Sequence, residues 1–410
     1  MFPYGARRRL LYFQEYSLNE SVIYEYKCAN SSQFFSFYME LLHKYYTPLI
    51  MVIGFLGNFT SCLVLISTHL KLRSSSYYLA ALSFADSGYL VCAFLVYCSS
   101  KDIFNLYDKQ GFCQICIYLT YVFSFLSVWL IVAFTIERFI AVQYPLRRSY
   151  ICTIKRAKTI VGVLSLLAFI VYVFAFFITD VIDDECQLKP EYKDLVEVIN
   201  YVDTVMTLIL PVVLIVGMNT MIAISLFKFR KTMQIRLTDD GSSKDIDMYH
   251  TSTSQSNSST KKSKDQENYQ EIQTCTVEKL QVSKSFKRTQ KYSHIHVKKS
   301  TSHDAASYTQ HGINRMLLVI SSVFIILNFP SYLIRLCYYF DSIMEMELLQ
   351  HYFDCVQQFA MLLYCTNFSI NFLLYTMCGK AFRICLRTFF YNIFHKVACF
   401  EGGSVSNTNC

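Results

Sequence analysis

The sequence predicts an all-α membrane protein, a seven-transmembrane helix bundle with a short amphipathic eighth helix. Three observations lead there. Of 410 residues 53% are apolar and only 17% charged, more apolar surface than a soluble core needs. Seven runs of about 20 residues carry few charges, long enough to cross the hydrocarbon layer as helices. They fall near 45–68, 76–98, 113–136, 157–179, 201–227, 313–338 and 356–377. The loops after the first and third runs are basic, the pattern by which Lys and Arg hold a loop in the cytoplasm.

Residues 1–44 form an outer tail, because Lys71 and Arg73 hold the first loop inside, and Arg147, Arg148, Lys155, Arg156 and Lys158 the second. Arg7, Arg8 and Arg9 lie beyond the roughly 15–20 residues beside a span that weigh in this rule. The apolar stretch behind them is too short for a signal-peptide core, so the first span is expected to act as an uncleaved anchor. Sequons at Asn19 and Asn30 are the expected glycosylation sites. Those at Asn58, Asn257 and Asn367 read as chance matches, two inside spans and one on the inner side.

Residues 45–228 carry spans one to five, and 229–310 form a third inner loop rich in Ser, Thr, Lys and Gln. That loop has too little apolar surface to fold and reads as a disordered, phosphorylatable linker. Spans six and seven occupy 311–377, and 378–410 form the inner tail. Within the tail, 379–390 sets bulky apolar groups at helical spacing with basic residues between them, which suits a helix lying on membrane lipid. Cys385 and Cys399 are candidates for acylation, with burial of an unmodified Cys385 as an equal reading.

Most of the sixteen cysteines lie in or beside apolar runs and read as small hydrophobes. Cys113 and Cys186 differ: both are expected on the oxidising side, where a bridge would pin the second outer loop over the bundle mouth. Cys28 and Cys355 are a second external pair that could bridge. At the inner end of the third span stands Glu137-Arg138-Phe139. An arginine there is costly unless water, an acid or a partner receives it, so it reads either as functional or as a stop-transfer charge.

These features occur together with Gly54-Phe55-Leu56-Gly57-Asn58, Leu79 to Asp86, Tyr144-Pro145-Leu146, Pro211, Phe324 with Pro330, and Asn371-Phe372-Leu373-Leu374-Tyr375. In that order and on those spans the chain resembles the class A, rhodopsin-like G protein-coupled receptors. The run 72–83 is similar to invertebrate neuropeptide receptors related to the thyrotropin-releasing-hormone and FMRFamide groups, with the CNMamide receptors as one candidate group. The chain also departs from the pattern. Phe372 replaces a proline, Asn328 and Ser165 replace tryptophans, and Asn219 replaces a tyrosine. Without the proline a straighter helix is expected near Asn371.

The resemblance implies roles residue by residue. Glu137, Arg138, Pro145, Asn371 and Tyr375 would serve activation and G protein coupling. Asn58, Asp86, Ser127, Asn367 and Asn371 would form a sodium and water site; a structural hydrogen-bond cluster is the plainer reading. No cofactor beyond that allosteric sodium ion is expected. Thr120 stands where amine receptors have aspartate and Cys365 where opsins have the retinal lysine, so neither ligand is expected.

The second outer loop and its flanks carry Asp180, Asp183, Asp184, Glu185, Glu191, Asp194 and Glu197 against Lys189 and Lys193, and the third adds Asp341, Glu345, Glu347 and Asp354. An acidic rim attracts cations, which suits a basic or C-terminally amidated peptide; an ordinary solvated rim is the alternative. Arg335 and Asp203 could form an ion pair across the cavity. Otherwise Arg335 would grip the ligand with Gln114, Thr120, Tyr121, Gln357 and Gln358, while Asp203 meets a basic group.

The expected partners are an extracellular peptide, a heterotrimeric G protein, arrestin, receptor kinases and membrane lipid, with no nucleic acid, at the plasma membrane. A constitutively active or ligand-less heptahelical protein is the alternative. No metal cluster, phosphate loop or nucleophile arrangement suggests an enzyme. Neither inverted repeats nor paired Gly/Pro-broken spans suggest a transporter.

Overall fold

The computed structural model describes residues 33–242, 316–334 and 350–401. Asn19, Cys28, Asn30, the inner loop beyond 242, Arg335, and Asp341, Glu345 and Glu347 lie outside the described residues, as do the side chains of Asp354, Cys355, Gln357, Gln358 and Cys399. Among the described residues six helices are long and apolar enough to cross a membrane: α1 (Phe37–Ser67), α2 (Ser74–Ser100), α3 (Phe112–Gln143), α4 (Ile154–Ile178), α5 (Asp194–Lys228) and α6 (Met316–Ile334). The seventh span is a bent pair, α7 (Gln350–Ser369) and α8 (Asn371–Cys378), followed after Gly379 by the amphipathic α9 (Lys380–Glu401).

The centre of the bundle is α3. Its Val122, Leu126, Leu130 and Phe134, four residues apart, are buried as one stripe. At the other extreme α4 leaves Leu166, Ile170 and Phe177 exposed, the face a membrane helix turns to lipid. Close approach needs small residues at the crossings. A Cβ at Gly57 of α1 would sit 2.8 Å from the Phe372 Cβ of α8, and one at Gly88 of α2 would run into the Phe123 ring of α3.

The seventh span corrects the expectation of a straight helix: its halves meet at 52° around Ile370. Side chains, not a proline, bend it. The Phe368 carbonyl accepts a 2.6 Å hydrogen bond from Asn58 Nδ2 of α1, and Ser369 Oγ turns back onto the Cys365 carbonyl at 3.2 Å. A side chain taking a carbonyl of the helical ladder is a recognised cause of kinks. After the second break, Arg383 Nη1 reaches back to the Thr376 and Met377 carbonyls, both at 2.8 Å, and closes the end of α8.

Outside the bundle β1 (Thr179–Ile182) and β2 (Glu185–Leu188) pair antiparallel. Asp183 and Asp184 join them with φ of 54° and 62°, the doubly left-handed turn that matches the twist of a two-residue hairpin.

Candidate functional site

The polar residues gather at three levels of the bundle. At the inner end of α3, Arg138 and Glu137 are both buried, 3% and 6% exposed, and form an ion pair with each other. Ser74 Oγ of α2 donates to Glu137 Oε1 at 3.0 Å. The guanidinium lies 5.9 Å from the centre of the Phe134 ring, and its Nε makes no hydrogen bond. Such a charge is held beside its acid rather than solvated. Beside it the connection to α4 exposes Pro145, and Leu146 stands 94% exposed on the surface. Tyr375 of α8 is wholly buried, its ring edge-on to Phe382 of α9 at 5.7 Å.

At mid-bundle the Asp86 carboxylate accepts from Ser127 Oγ at 2.7 Å and from Asn371 Nδ2 at 2.5 Å. Asn58 is buried on α1, its Nδ2 spent on Phe368. Asn58 Oδ1 and Ser61 Oγ are buried without a hydrogen-bond partner, and Ser83 and Asn367 are also buried. A carboxylate with two unengaged oxygens on the neighbouring α1 is the donor chemistry of a hard cation with water. These residues therefore fit sodium. Three of the five expected residues, Asp86, Ser127 and Asn371, touch directly.

The outer level is capped by the Cys113–Cys186 disulfide, Cα atoms 5.5 Å apart, which ties β2 to the start of α3 as expected. Around it the first outer loop holds the hairpin. Asp108 accepts from the Cys186 amide at 3.0 Å and from Ser99 Oγ, and Gln110 Nε2 donates to Asp180 Oδ1 at 3.0 Å. That hydrogen bond, the Val181 amide and the Lys189 ammonium 3.5 Å away hold the Asp180 carboxyl below its ordinary pKa, so it stays ionised in the rim.

Below the cap, Tyr121 stacks on Tyr172 at 5.4 Å, and the Tyr172 hydroxyl donates to Asp203 Oδ1 at 2.5 Å. Asp203 is thus drawn toward α4, and Thr207 Oγ1 approaches its second oxygen at 3.5 Å. Gln114 also has a local task on its own helix. Its Oε1 accepts from the Gly111 amide at 2.7 Å and caps α3. Thr120 donates to the Cys116 carbonyl of its own helix at 2.7 Å. Across the bundle Ser124 Oγ and the Tyr364 hydroxyl lie 2.7 Å apart, joining α3 to α7.

Sequence reasoning singled out Asp86, Asp203 and Tyr121 but not Tyr172, Asp108, Gln110, Tyr364 or Ser74. Ser83 lies in a quoted motif and could have been found. Tyr172 and Ser74 carry no signal of their own, because each acts on a partner 31 or 63 residues away.

Residues 57–375 match the family model described as 7 transmembrane receptor (rhodopsin family). Curated relatives include the thyrotropin-releasing hormone receptor of Gallus gallus, 33% identical over 133 residues, which are 32% of this chain and 33% of that receptor. A neuromedin U receptor homolog of Caenorhabditis elegans is 27% identical over 27% of this chain and 28% of its own. Human cysteinyl leukotriene receptor 1 is 29% identical over 46% of this chain and 58% of its own. The chain thus spans about a third of the length of the thyrotropin-releasing hormone receptors it matches.

Proposed function

This chain belongs to the rhodopsin family of seven-transmembrane receptors, a family of receptors and not of enzymes, and on that premise we propose that it receives an extracellular neuropeptide and signals to a heterotrimeric G protein. The observation that carries this reading is the buried Glu137–Arg138 pair, held by Ser74 at one end of α3. At the other end of the same helix, the Cys113–Cys186 bridge fixes an acidic hairpin. One rigid element thus joins a cation-attracting mouth to a guanidinium kept ready behind a single acid. Neuropeptide receptors among the relatives support a peptide, and the acidic rim suits one that is basic or C-terminally amidated.

Peptide binding favours a state in which α6 moves outward, Arg138 leaves Glu137 and Tyr375 comes beneath it, a population shift and not a chemical step. Pro145 and the bare Leu146, exposed on the connection from α3 to α4, offer a partner a surface to grip. Asp86, with Ser127 and Asn371 on its oxygens, would hold a sodium ion in the resting state, and the ion would supply charge balance to the carboxylate. Ser127 and Asn371 orient the carboxylate, and release of Asn371 frees α8 to move. The Ser- and Thr-rich inner loop serves receptor kinases and arrestin, and the N terminus lies outside the plasma membrane.

A second reading, a heptahelical protein active without ligand, rests on Asn328, Asn219 and Phe372 at positions where the family pattern differs. Screening an amidated-peptide library against cells expressing the chain, with calcium and cyclic AMP readouts, separates the two. A saturable response to one peptide supports the receptor. High signalling that no peptide changes supports the second reading and sinks the first.

A further inference from the structure

The deepest unexplained polar groups of the outer half lie on α6. Asn328 is 1% exposed and Ser331 0%, and three residues apart they share one face of the helix. Asn328 Nδ2 donates to the Phe324 carbonyl at 2.6 Å, one turn below. That bond decides which way the amide points: a carbonyl oxygen can accept only from the NH₂ side, so Oδ1 is the free end. Asn328 Oδ1 and Ser331 Oγ both lack a hydrogen-bond partner.

An unsatisfied buried polar group is costly, and folded proteins seldom leave two on one helix face without something to fill them. A hydrocarbon side chain would have cost less at either position. The pair offers one acceptor that cannot flip and one hydroxyl that can donate or accept. The smallest organic group complementary to both is a primary carboxamide, its NH₂ donating to Asn328 Oδ1 and its carbonyl accepting from Ser331 Oγ. A carboxylate would instead set oxygen against Oδ1, without a proton between them.

We propose that Asn328 and Ser331 form the subsite that reads the terminal carboxamide of an amidated peptide. This rests on the peptide-receptor reading and deepens it. Both groups are covered, so the amide reaches them only by parting the side chains above, and the hydrogen bonds gained offset that opening. Because both are on α6, the helix proposed to move, the group that confers selectivity also pulls on the element that signals.

The test uses the full-length receptor at the cell surface and a library in which every amidated peptide has a free-acid twin. For the active peptide, wild type should prefer amide to acid by roughly 10- to 100-fold in potency, the worth of one buried hydrogen bond and one avoided clash. Asn328→Ala should bring that ratio to within about three-fold, and Ser331→Ala should lower it partway. The ratio compares two ligands on one variant, so a loss of folded receptor cancels. A ratio unchanged by both substitutions would overturn the assignment and leave Asn328 and Ser331 as holders of internal water. A library with no active peptide at all would instead remove the peptide reading and this subsite with it.

Discussion

In the proposed mechanism Arg138 is the residue on which signalling turns, and Glu137, its ion-pair partner, is what restrains it. Glu137→Gln keeps an oxygen for Ser74 but removes the charge that holds the guanidinium. If about 1 kcal/mol of resting-state bias goes with it, the active state gains roughly five-fold. Basal nucleotide exchange of that variant, measured at matched surface expression, should rise accordingly; an unaltered basal rate would mean that the pair does not restrain activity. Asp86 makes a separate prediction. Asp86→Asn leaves Ser127 a partner oxygen while abolishing the cation's charge partner, so any sodium sensitivity of agonist affinity should vanish. Sodium dependence that persists in the variant would leave only a structural hydrogen-bond cluster. Both residues were legible in the sequence, since a charge within an apolar run is conspicuous. The capping role of Gln114 was not legible, because it depends on the turn before the helix, here Gly111 at φ 86°.

At the scale of elements, the outer loops act as one assembly. Asp108, Gln110 and the Cys113–Cys186 bridge all converge on the β1–β2 hairpin. Mapping of surface-labelled protein without reduction should recover the peptides of Cys113 and Cys186 as a linked pair, and Cys186→Ser should weaken peptide binding more than it lowers expression. Recovery of both as free thiols in folded receptor would contradict the structure. The spans were legible because hydropathy is a local property of about 20 residues. Three features were not. The outer turns of α5 from Asp194 are amphipathic, so hydropathy placed the start near 201. The hairpin turns on Asp183-Asp184 rather than on the Asn-Gly signal. The bend at Ile370 is accompanied by the local Ser369 bond and by Asn58, 310 residues distant from the carbonyl it takes. Removing the proline from the motif therefore did not straighten the span.

At the scale of the whole molecule, the proposed function has ligand energy gathered at an acidic, disulfide-capped mouth and carried along α3 and α6 to one buried ion pair. Coupling of this kind shifts a population between two arrangements and requires each ligand to favour one of them. The most direct measurement is guanine-nucleotide exchange on purified heterotrimer by membranes bearing either wild type or Arg138→Ala, with the amidated peptide found by screening and with surface binding measured in parallel. Wild type should stimulate exchange on adding peptide, while Arg138→Ala should bind the same peptide within about three-fold and stimulate none, because the proposed peptide site lies at the other end of α3. Peptide-stimulated exchange by Arg138→Ala equal to that of wild type would contradict the account.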